Sequence, residues 1–221
     1  MRSGGWKPMF DEFFRDGPMA GSYKPVLLDA LIDAASYVEA RRKRDWININ
    51  GDEIRLELDF IAARFALHYW EVHPFVFRHI AQGGTGKGSA KYDLKIIKII
   101  RKHFKAPDKI PDIKYLESPD RRNLRREIIR DAIKPYVLPN LLNDMPGLYN
   151  YKRGENHITF DAGLSAYMDS HAALLRRKIQ RKLDEHIRAS NKKPRPILPV
   201  ENPFYLYVKN RFQNAQTKLP G

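Results

Sequence analysis

The sequence of 221 residues contains no cysteine, no long apolar run and no excess of acidic side chains. The lack of cysteine excludes disulfide bonds, thiolate metal sites and cysteine nucleophiles. No segment approaches the roughly 20 consecutive apolar residues that a membrane-spanning helix requires. The start, MRSGGWKPMFDEFF, also lacks the apolar core of a secretion signal. We therefore expect a protein without membrane contact that is located in the cytoplasm.

Basic and apolar side chains are abundant. The composition is 43% hydrophobic and 11% aromatic, which is enough to bury a core and argues against intrinsic disorder. Lys and Arg number 40 against 26 Asp and Glu, a net charge of +14. Residues 1–90 hold 12 of each sign, so the whole surplus lies in residues 91–221, with 28 basic and 14 acidic residues. This distribution predicts a neutral packing unit followed by a basic surface for a polyanion.

Apolar spacing predicts a mainly α fold with small β-hairpins, an α+β protein of helical or winged-helix-like units with a long C-terminal helix. Residues 1–88 form the neutral unit, with a helix after Pro25, a turn at Asn50-Gly51 beside a short strand, and a helix over 58–70. Residues 89–191 form the basic unit, with a β-hairpin over 148–160 and a helix over 164–189. Residues 192–221 are predicted to be a proline-rich extended tail.

Four elements of the basic unit are candidates for nucleic-acid binding. They are a helix over 90–104 with lysines on one face, an arginine cluster over 121–130 in a helix that the following prolines are expected to interrupt, the hairpin tip, and the last helix. Cations that neutralise phosphates release counterions, and arginine also suits guanine edges. Together with two residues of the glycine-rich loop 83–88, the predicted contacts are Thr85, Lys87, Lys91, Lys95, Lys98, Lys102, Arg121, Arg122, Arg125, Arg126, Lys152, Arg153, Arg176, Arg177, Arg181 and Lys182.

The sequence indicates catalysis less clearly than it indicates nucleic-acid binding. The GGTGKGS loop departs from the phosphate-loop pattern at two positions, Ala81 and Gly88, which favours a linker or a phosphate contact over nucleotide binding. A β-hairpin followed by a helix is the scaffold of one class of metal-dependent nucleases, and His157, Asp161 and His171 lie on that stretch. If this alternative holds, the protein is an endonuclease that uses Mg²⁺ or Mn²⁺. Otherwise we predict no catalytic residue, no metal and no cofactor.

Several short motifs resemble the region that precedes the nuclease motif in HNH-type restriction endonucleases. They are Tyr23-Lys24-Pro25-Val26-Leu27-Leu28, Tyr69-Trp70 before Pro74-Phe75, a loop over Gln82 to Gly86, and an aromatic strand and long helix from Tyr149 to Asn191. The resemblance covers about residues 22–191. It implies a DNA-recognition module of restriction or defence type that binds double-stranded DNA.

The sequence also departs from that family. Residues 192–221 contain no His-Asn-His series, and the paired cysteines that hold a structural zinc in many members are lacking. The resemblance therefore leaves three interpretations of cleavage: a nuclease half outside this sequence, a separate nuclease subunit, or a binding module without one. A protein-interaction subunit whose aromatic tail docks on a partner is a further alternative, and the sequence does not predict the oligomeric state.

Overall fold

The computed structural model describes residues 5–17, 23–40, 45–71, 95–104 and 111–190. Within these ranges the chain is mostly helical and has one small antiparallel sheet, so the predicted mainly α, α+β class is confirmed. The elements in chain order are α1 (Trp6–Asp16), α2 (Tyr23–Glu39), β1 (Ile47–Asn50), β2 (Glu53–Glu57), α3 (Leu58–Glu71), α4 (Lys95–His103), α5 (Ile113–Glu117), a 3₁₀ turn (Pro119–Arg121), α6 (Arg122–Ile128), a π-helix (Ile129–Val137), α7 (Leu138–Asp144), β3 (His157–Asp161), α8 (Ala162–Ser170) and α9 (Ala172–Ser190).

The sheet has the order β1-β2-β3, with both pairs antiparallel. The predicted turn between β1 and β2 is present, and Gly51 has a φ of 60°, a conformation that glycine adopts without a steric penalty. β3 comes from the second predicted unit and pairs with β2 of the first, with Leu56 opposite Ile158. The sheet therefore contains strands from both predicted units. The boundary predicted at residue 88 lies outside the described residues.

α2 is the central helix of the core. Its residues Leu27, Leu28, Leu31 and Ile32 are at most 1% exposed, and the helix packs against α3, α8 and α9. Burial of one such side chain contributes roughly 1.5–3 kcal/mol relative to leaving it in water. The core continues through the inner face of the sheet and into α6, α8 and α9 as one hydrophobic cluster. Among the described residues, no helix is both long and apolar enough to span a bilayer.

The prediction of one helix over 164–189 needs correction, because the chain forms α8 and α9 with a break at His171. The Ser170 hydroxyl donates to the Tyr167 carbonyl oxygen at 3.1 Å. A serine side chain that bonds the preceding turn competes with the backbone hydrogen bonds of a helix. The break separates α8, which packs mainly on α2, from α9, which also reaches α1.

The prediction that Pro135 and Pro139 interrupt the helix is also wrong, because α6, the π-helix and α7 follow one another directly. In an α-helix, Pro135 would remove a hydrogen bond and its ring would crowd the carbonyl group four residues earlier. The wider π-helix carries Pro135 in its interior, and the backbone N–H of Leu138 donates to the carbonyl of Ile133, five residues back. The turns beyond Arg130 therefore remain helical.

The hairpin predicted over 148–160 is present in reduced form. Its second arm is β3, whereas its first arm makes a single bridge, in which Asn150 and Thr159 exchange hydrogen bonds of 2.7 and 3.0 Å. The turn between the arms contains Gly154, which has a φ of 103°. The glycine-rich loop 83–88 and the tail 192–221 lie outside the described residues.

Candidate nucleic-acid interface

The cations of α9 divide into two groups, and the inner group holds the helix on the core. Arg176 binds two carboxylates of α2, Asp29 through Nε at 3.0 Å and Asp33. Lys178 binds Asp11 of α1 at 2.5 Å. Arg176, one of the predicted contacts, is therefore engaged in helix packing.

Lys182 belongs to the same inner group. It is 7% exposed, and its Nζ donates to the carbonyl oxygen of Gly17 at 2.6 Å and lies 5.7 Å from the centre of the Phe13 ring. Burial lowers the pKa of this ammonium group. A buried lysine that is bonded to the backbone does not present its charge to a phosphate. The prediction that Lys182 binds nucleic acid is therefore not supported by its position.

The outer group of α9 consists of Arg177 and Arg181, which are exposed. Arg181 lies 3.7 Å from Glu185 one turn further along, a pair between two exposed side chains. Exposed pairs of this kind contribute little to stability. Among the described side chains of α9, Arg177 and Arg181 are the exposed cations.

The arginine cluster divides in the same way. Arg125 is 4% exposed; its Nε donates to Asp59 at 2.8 Å, and its Nη1 donates to the carbonyl oxygens of Leu116 and Ser118 at 2.7 and 2.8 Å. Its guanidinium group lies 4.9 Å from the Trp46 ring. Arg125 thus ties α6 to α3 and α5, which corrects its prediction as a nucleic-acid contact.

Arg121 is half-buried between two aromatic rings. Its guanidinium carbon lies 4.9 Å from the centre of the Phe104 ring and 4.3 Å from that of Tyr115, and it donates a hydrogen bond to the Tyr115 hydroxyl. Arg122 and Arg126 are exposed on α6. Of the four predicted arginine contacts in this cluster, two therefore face solvent along α6, one stacks on aromatic rings and one is buried.

α4 has the two faces that its sequence predicts. Ile96, Ile99 and Ile100 are at most 4% exposed, and Lys95 and Lys98 are exposed. The apolar side packs on α3, α6 and the π-helix. The lysine face of α4, which we call the lysine ridge and which includes Lys95, Lys98 and Lys102, therefore lies on the outer side of the helix. Thr85, Lys87 and Lys91, also predicted as contacts, lie outside the described residues.

Two contacts join this ridge to the helix beneath it. Lys102 binds Glu127 of α6 at 2.8 Å, and the His103 Nε2 lies 2.9 Å from the second oxygen of the same carboxylate. The hydrogen bond from Lys102 lowers the pKa of Glu127 most, so this carboxylate stays ionised. At the other end of α4, the Lys95 Nζ lies 5.7 Å from the centre of the Tyr136 ring.

Lys134 joins the π-helix to the turn before β3. Its Nζ donates to the side-chain oxygen of Asn156 at 2.8 Å and lies 3.5 Å from the carbonyl oxygen of Gly154. The turn itself presents Lys152 and Arg153, both exposed. Contacts thus connect α4, the π-helix and the turn into one surface. We call it the α4 basic surface, and its cations are Lys95, Lys98, Lys102, Arg130, Lys134, Lys152 and Arg153.

Three carboxylates lie among these seven cations, namely Glu127, Asp131 and Glu155, so the cations outnumber the carboxylates. Arg130 binds Asp131 at 2.7 Å and lowers its pKa most, with smaller contributions from Lys95 and Lys102. Exposed Arg122 and Arg126 of the adjacent α6 add to the positive side. The surface is therefore positive after its internal ion pairs are counted.

Sequence reasoning includes Arg130 only as the last member of the cluster over 121–130, and it does not select Lys134 or Tyr136 as site residues. The two prolines at 135 and 139 indicate the end of a helix, which excludes this stretch from the predicted basic surface. The available signal is the spacing of Glu127, Arg130, Asp131 and Lys134, which share one side of a helix that continues beyond Arg130.

The three residues of the nuclease alternative do not meet. His157 and Asp161 lie at opposite ends of β3, about 13 Å apart at 3.3 Å per residue. The Asp161 carboxylate caps α8 by accepting from the backbone N–H groups of Gly163 and Leu164 at 2.8 and 3.2 Å. His171 lies at the other end of α8 and stacks on Tyr167, with ring centres 4.3 Å apart.

Metal ligands must approach one ion to about 2.0–2.6 Å, which this arrangement of His157, Asp161 and His171 does not provide. No group of three or more His, Asp or Glu suited to a metal ion occurs within the described ranges. In comparisons with known proteins, no family model, no curated protein and no solved structure matches the chain significantly.

Proposed function

We propose that the protein binds DNA through the α4 basic surface. The single observation that carries the proposal is the continuity of exposed cations across α4, the π-helix and the turn at Lys152 and Arg153, joined by the contacts of Lys95 and Lys134. Because the surface keeps a positive charge after its own carboxylates are counted, it attracts a polyanion along its whole length.

Double-stranded DNA is the partner class that we propose. Its phosphates present a regular row of negative charges, and a protein that neutralises them gains affinity from counterion release. The sequence resemblance adds the expectation of a recognition module of restriction or defence type, and the lack of a signal core adds the expectation of a cytoplasmic location. A nuclease half outside this sequence, a separate nuclease subunit and a binding module without a nuclease all agree with this proposal. The exposed arginines Arg122 and Arg126 beside the surface are side chains of the type that reads guanine edges.

A salt titration of binding to a fluorescently labelled blunt DNA duplex, followed by anisotropy, tests the proposal. We expect the logarithm of the association constant to fall linearly with the logarithm of salt, by about 0.9 for each phosphate contacted. Affinity that does not change with salt would contradict the proposal. A matched RNA duplex in the same titration separates DNA binding from general polyanion binding.

Charge-matched double variants locate the surface. Lys98→Gln/Arg153→Gln removes two exposed cations of the α4 basic surface, and Arg177→Gln/Arg181→Gln removes two exposed cations of α9. We expect the first pair to reduce the salt slope by about 2 and to weaken binding by 10-fold or more at low salt, whereas the second pair leaves the slope almost unchanged. Equal losses in both variants would show that net charge alone drives binding.

A further inference from the structure

Exposed aromatic rings occur at both ends of α4. Among the described residues, the exposed large apolar side chains include two aromatics, Tyr136 at 46% and Tyr115 at 41%. Tyr136 lies beside Lys95 at the start of α4. Tyr115 packs near Phe104, directly after the end of α4, with ring centres 6.4 Å apart.

Each exposed ring has a cation beside it. The Lys95 Nζ lies 5.7 Å from the centre of the Tyr136 ring, and the Arg121 guanidinium carbon lies 4.3 Å from the centre of the Tyr115 ring. Single exposed tyrosines are common on protein surfaces, but an exposed ring beside a cation is suited to a nucleotide. A base can stack on an exposed tyrosine ring, and the cation beside the ring adds positive charge at the same place.

The length of α4 gives the scale of the proposed site. α4 spans residues 95–103, so its ends are about 12 Å apart at 1.5 Å per residue. That distance corresponds to three or four stacked nucleotides at about 3.4 Å each. The exposed lysines Lys98 and Lys102 lie on α4 between Lys95, which is beside Tyr136, and Phe104, which is beside Tyr115.

We propose that Tyr136 and Tyr115 stack on unpaired bases, so that the α4 basic surface prefers DNA with a single-stranded segment over a blunt duplex. This inference rests on the proposed DNA binding, and it names the form of DNA that the same surface takes. Every base has a face that stacks on an aromatic ring, so the preference is for unpaired bases and not for a particular sequence. Paired bases inside a duplex do not present that face.

The test compares two labelled probes with the same number of nucleotides, a blunt duplex and a shorter duplex with a thymine overhang. We expect the overhang probe to bind at least 5-fold more tightly. Tyr136→Ala and Tyr115→Ala should each weaken binding of that probe by about 5- to 150-fold, the range expected for loss of one stacked base. Binding of the blunt duplex should change less than 2-fold.

Tyr136→Phe is the matched control, because it keeps the ring and removes the hydroxyl, and it should bind both probes as the unchanged protein does. Leu174→Ala, which removes an exposed apolar side chain of α9, controls for loss of surface area. Since stacking involves no counterion, the alanine variants should lower affinity without changing the salt slope. A circular dichroism melt confirms that each variant is folded.

Equal binding of the two probes, or tyrosine variants that bind the overhang probe as tightly as the unchanged protein, would overturn the stacking proposal. If Lys98→Gln/Arg153→Gln still reduces the salt slope in that case, DNA binding by the α4 basic surface stands and only the stacking fails. If neither the lysine nor the tyrosine variants alter binding, both proposals fail together.

Discussion

α9 and the α4 basic surface are equally basic in sequence but use their charge differently. On α9, Arg176, Lys178 and Lys182 turn towards α1 and α2 and bind carboxylates or a backbone carbonyl there. On α4, Lys95 and Lys98 point to solvent. The difference arises from the partner helix, because α1 and α2 present Asp11, Asp29 and Asp33 where α9 packs. Whether a cation faces solvent thus depends on carboxylates far away in the sequence.

The same comparison changes the meaning of the uneven net charge. Residues 1–90 are neutral by composition, yet several of their carboxylates are bound by cations from the second part of the chain, including Asp11 by Lys178, Asp29 by Arg176 and Asp59 by Arg125. Part of the basic surplus of residues 91–221 therefore forms ion pairs with residues 1–90 and contributes to packing. The remainder, on α4, α6 and the turn, is available to a partner.

The largest effect should come from Arg125, the most deeply embedded cation of the comparison. Arg125→Ala leaves the Asp59 carboxylate and two carbonyl oxygens without their donor. Loss of one partner of a buried ion pair is strongly destabilising, so we expect the free energy of unfolding to fall by about 3 kcal/mol. Urea denaturation measures the change.

Arg126→Ala is the matched control for Arg125→Ala, because Arg126 is the next residue on the same helix and its side chain is exposed. Its stability should remain within about 0.5 kcal/mol of the unchanged protein. If the two alanine variants were equally stable, Arg125 would not be the packing residue that its contacts indicate.

A smaller effect is expected at the junction of α9 with α2. Arg176→Gln removes hydrogen bonds to Asp29 and Asp33, and charge-assisted bonds contribute roughly 1.5–3 kcal/mol each. Because all three side chains keep some exposure to water, we expect a total loss of about 2 kcal/mol in urea denaturation. Binding to the blunt duplex should stay within 2-fold, and the exposed neighbour Arg177→Gln should change stability by less than about 0.5 kcal/mol. An Arg176→Gln variant that folds as stably as the unchanged protein but binds DNA poorly would reverse the roles of the two surfaces.

The lysine ridge of α4 was predictable from sequence because lysines on one face and isoleucines on the other recur at helical spacing within one short segment. Arg125 was predictable in principle, since it lies three and four residues before the buried Ile128 and Ile129 and thus falls on the apolar stripe. The inward turn of Arg176 was not, because its partners on α2 are more than 140 residues earlier in the chain. Local periodicity shows which side of a helix is apolar, but it does not reveal which carboxylates the neighbouring helix presents.

The continuation of the helix past Pro135 was hidden for a different reason. Proline at that position is incompatible with the hydrogen-bond pattern of an α-helix, and sequence rules interpret it as an end. The wider turn of the π-helix accommodates Pro135. Tertiary packing of Ala132, Ile133 and Val137, all at most 1% exposed, stabilises this turn. A π-helix in place of a helix end could therefore not be predicted without knowledge of the residues that pack against it.

The smallest effect should appear in the pH dependence of the α1 and α9 contact. Hydrogen bonds from Lys178 and then Lys7 lower the pKa of Asp11 from 3.8 to about 2. A carboxylate whose pKa is lower in the folded state stabilises the fold above its unfolded pKa, and this contribution disappears as the pH falls from about 4 to about 2. Because the Asp11 side chain is 36% exposed, the contribution should be less than about 1 kcal/mol. In urea denaturation across that range, Asp11→Asn should therefore lose less stability than the unchanged protein. Asp16→Asn alters an exposed carboxylate at the end of the same helix, and its stability should change with pH as that of the unchanged protein does. If the stability of Asp11→Asn also changed with pH in that way, Lys178 would not hold α9 to α1 through the charge of Asp11.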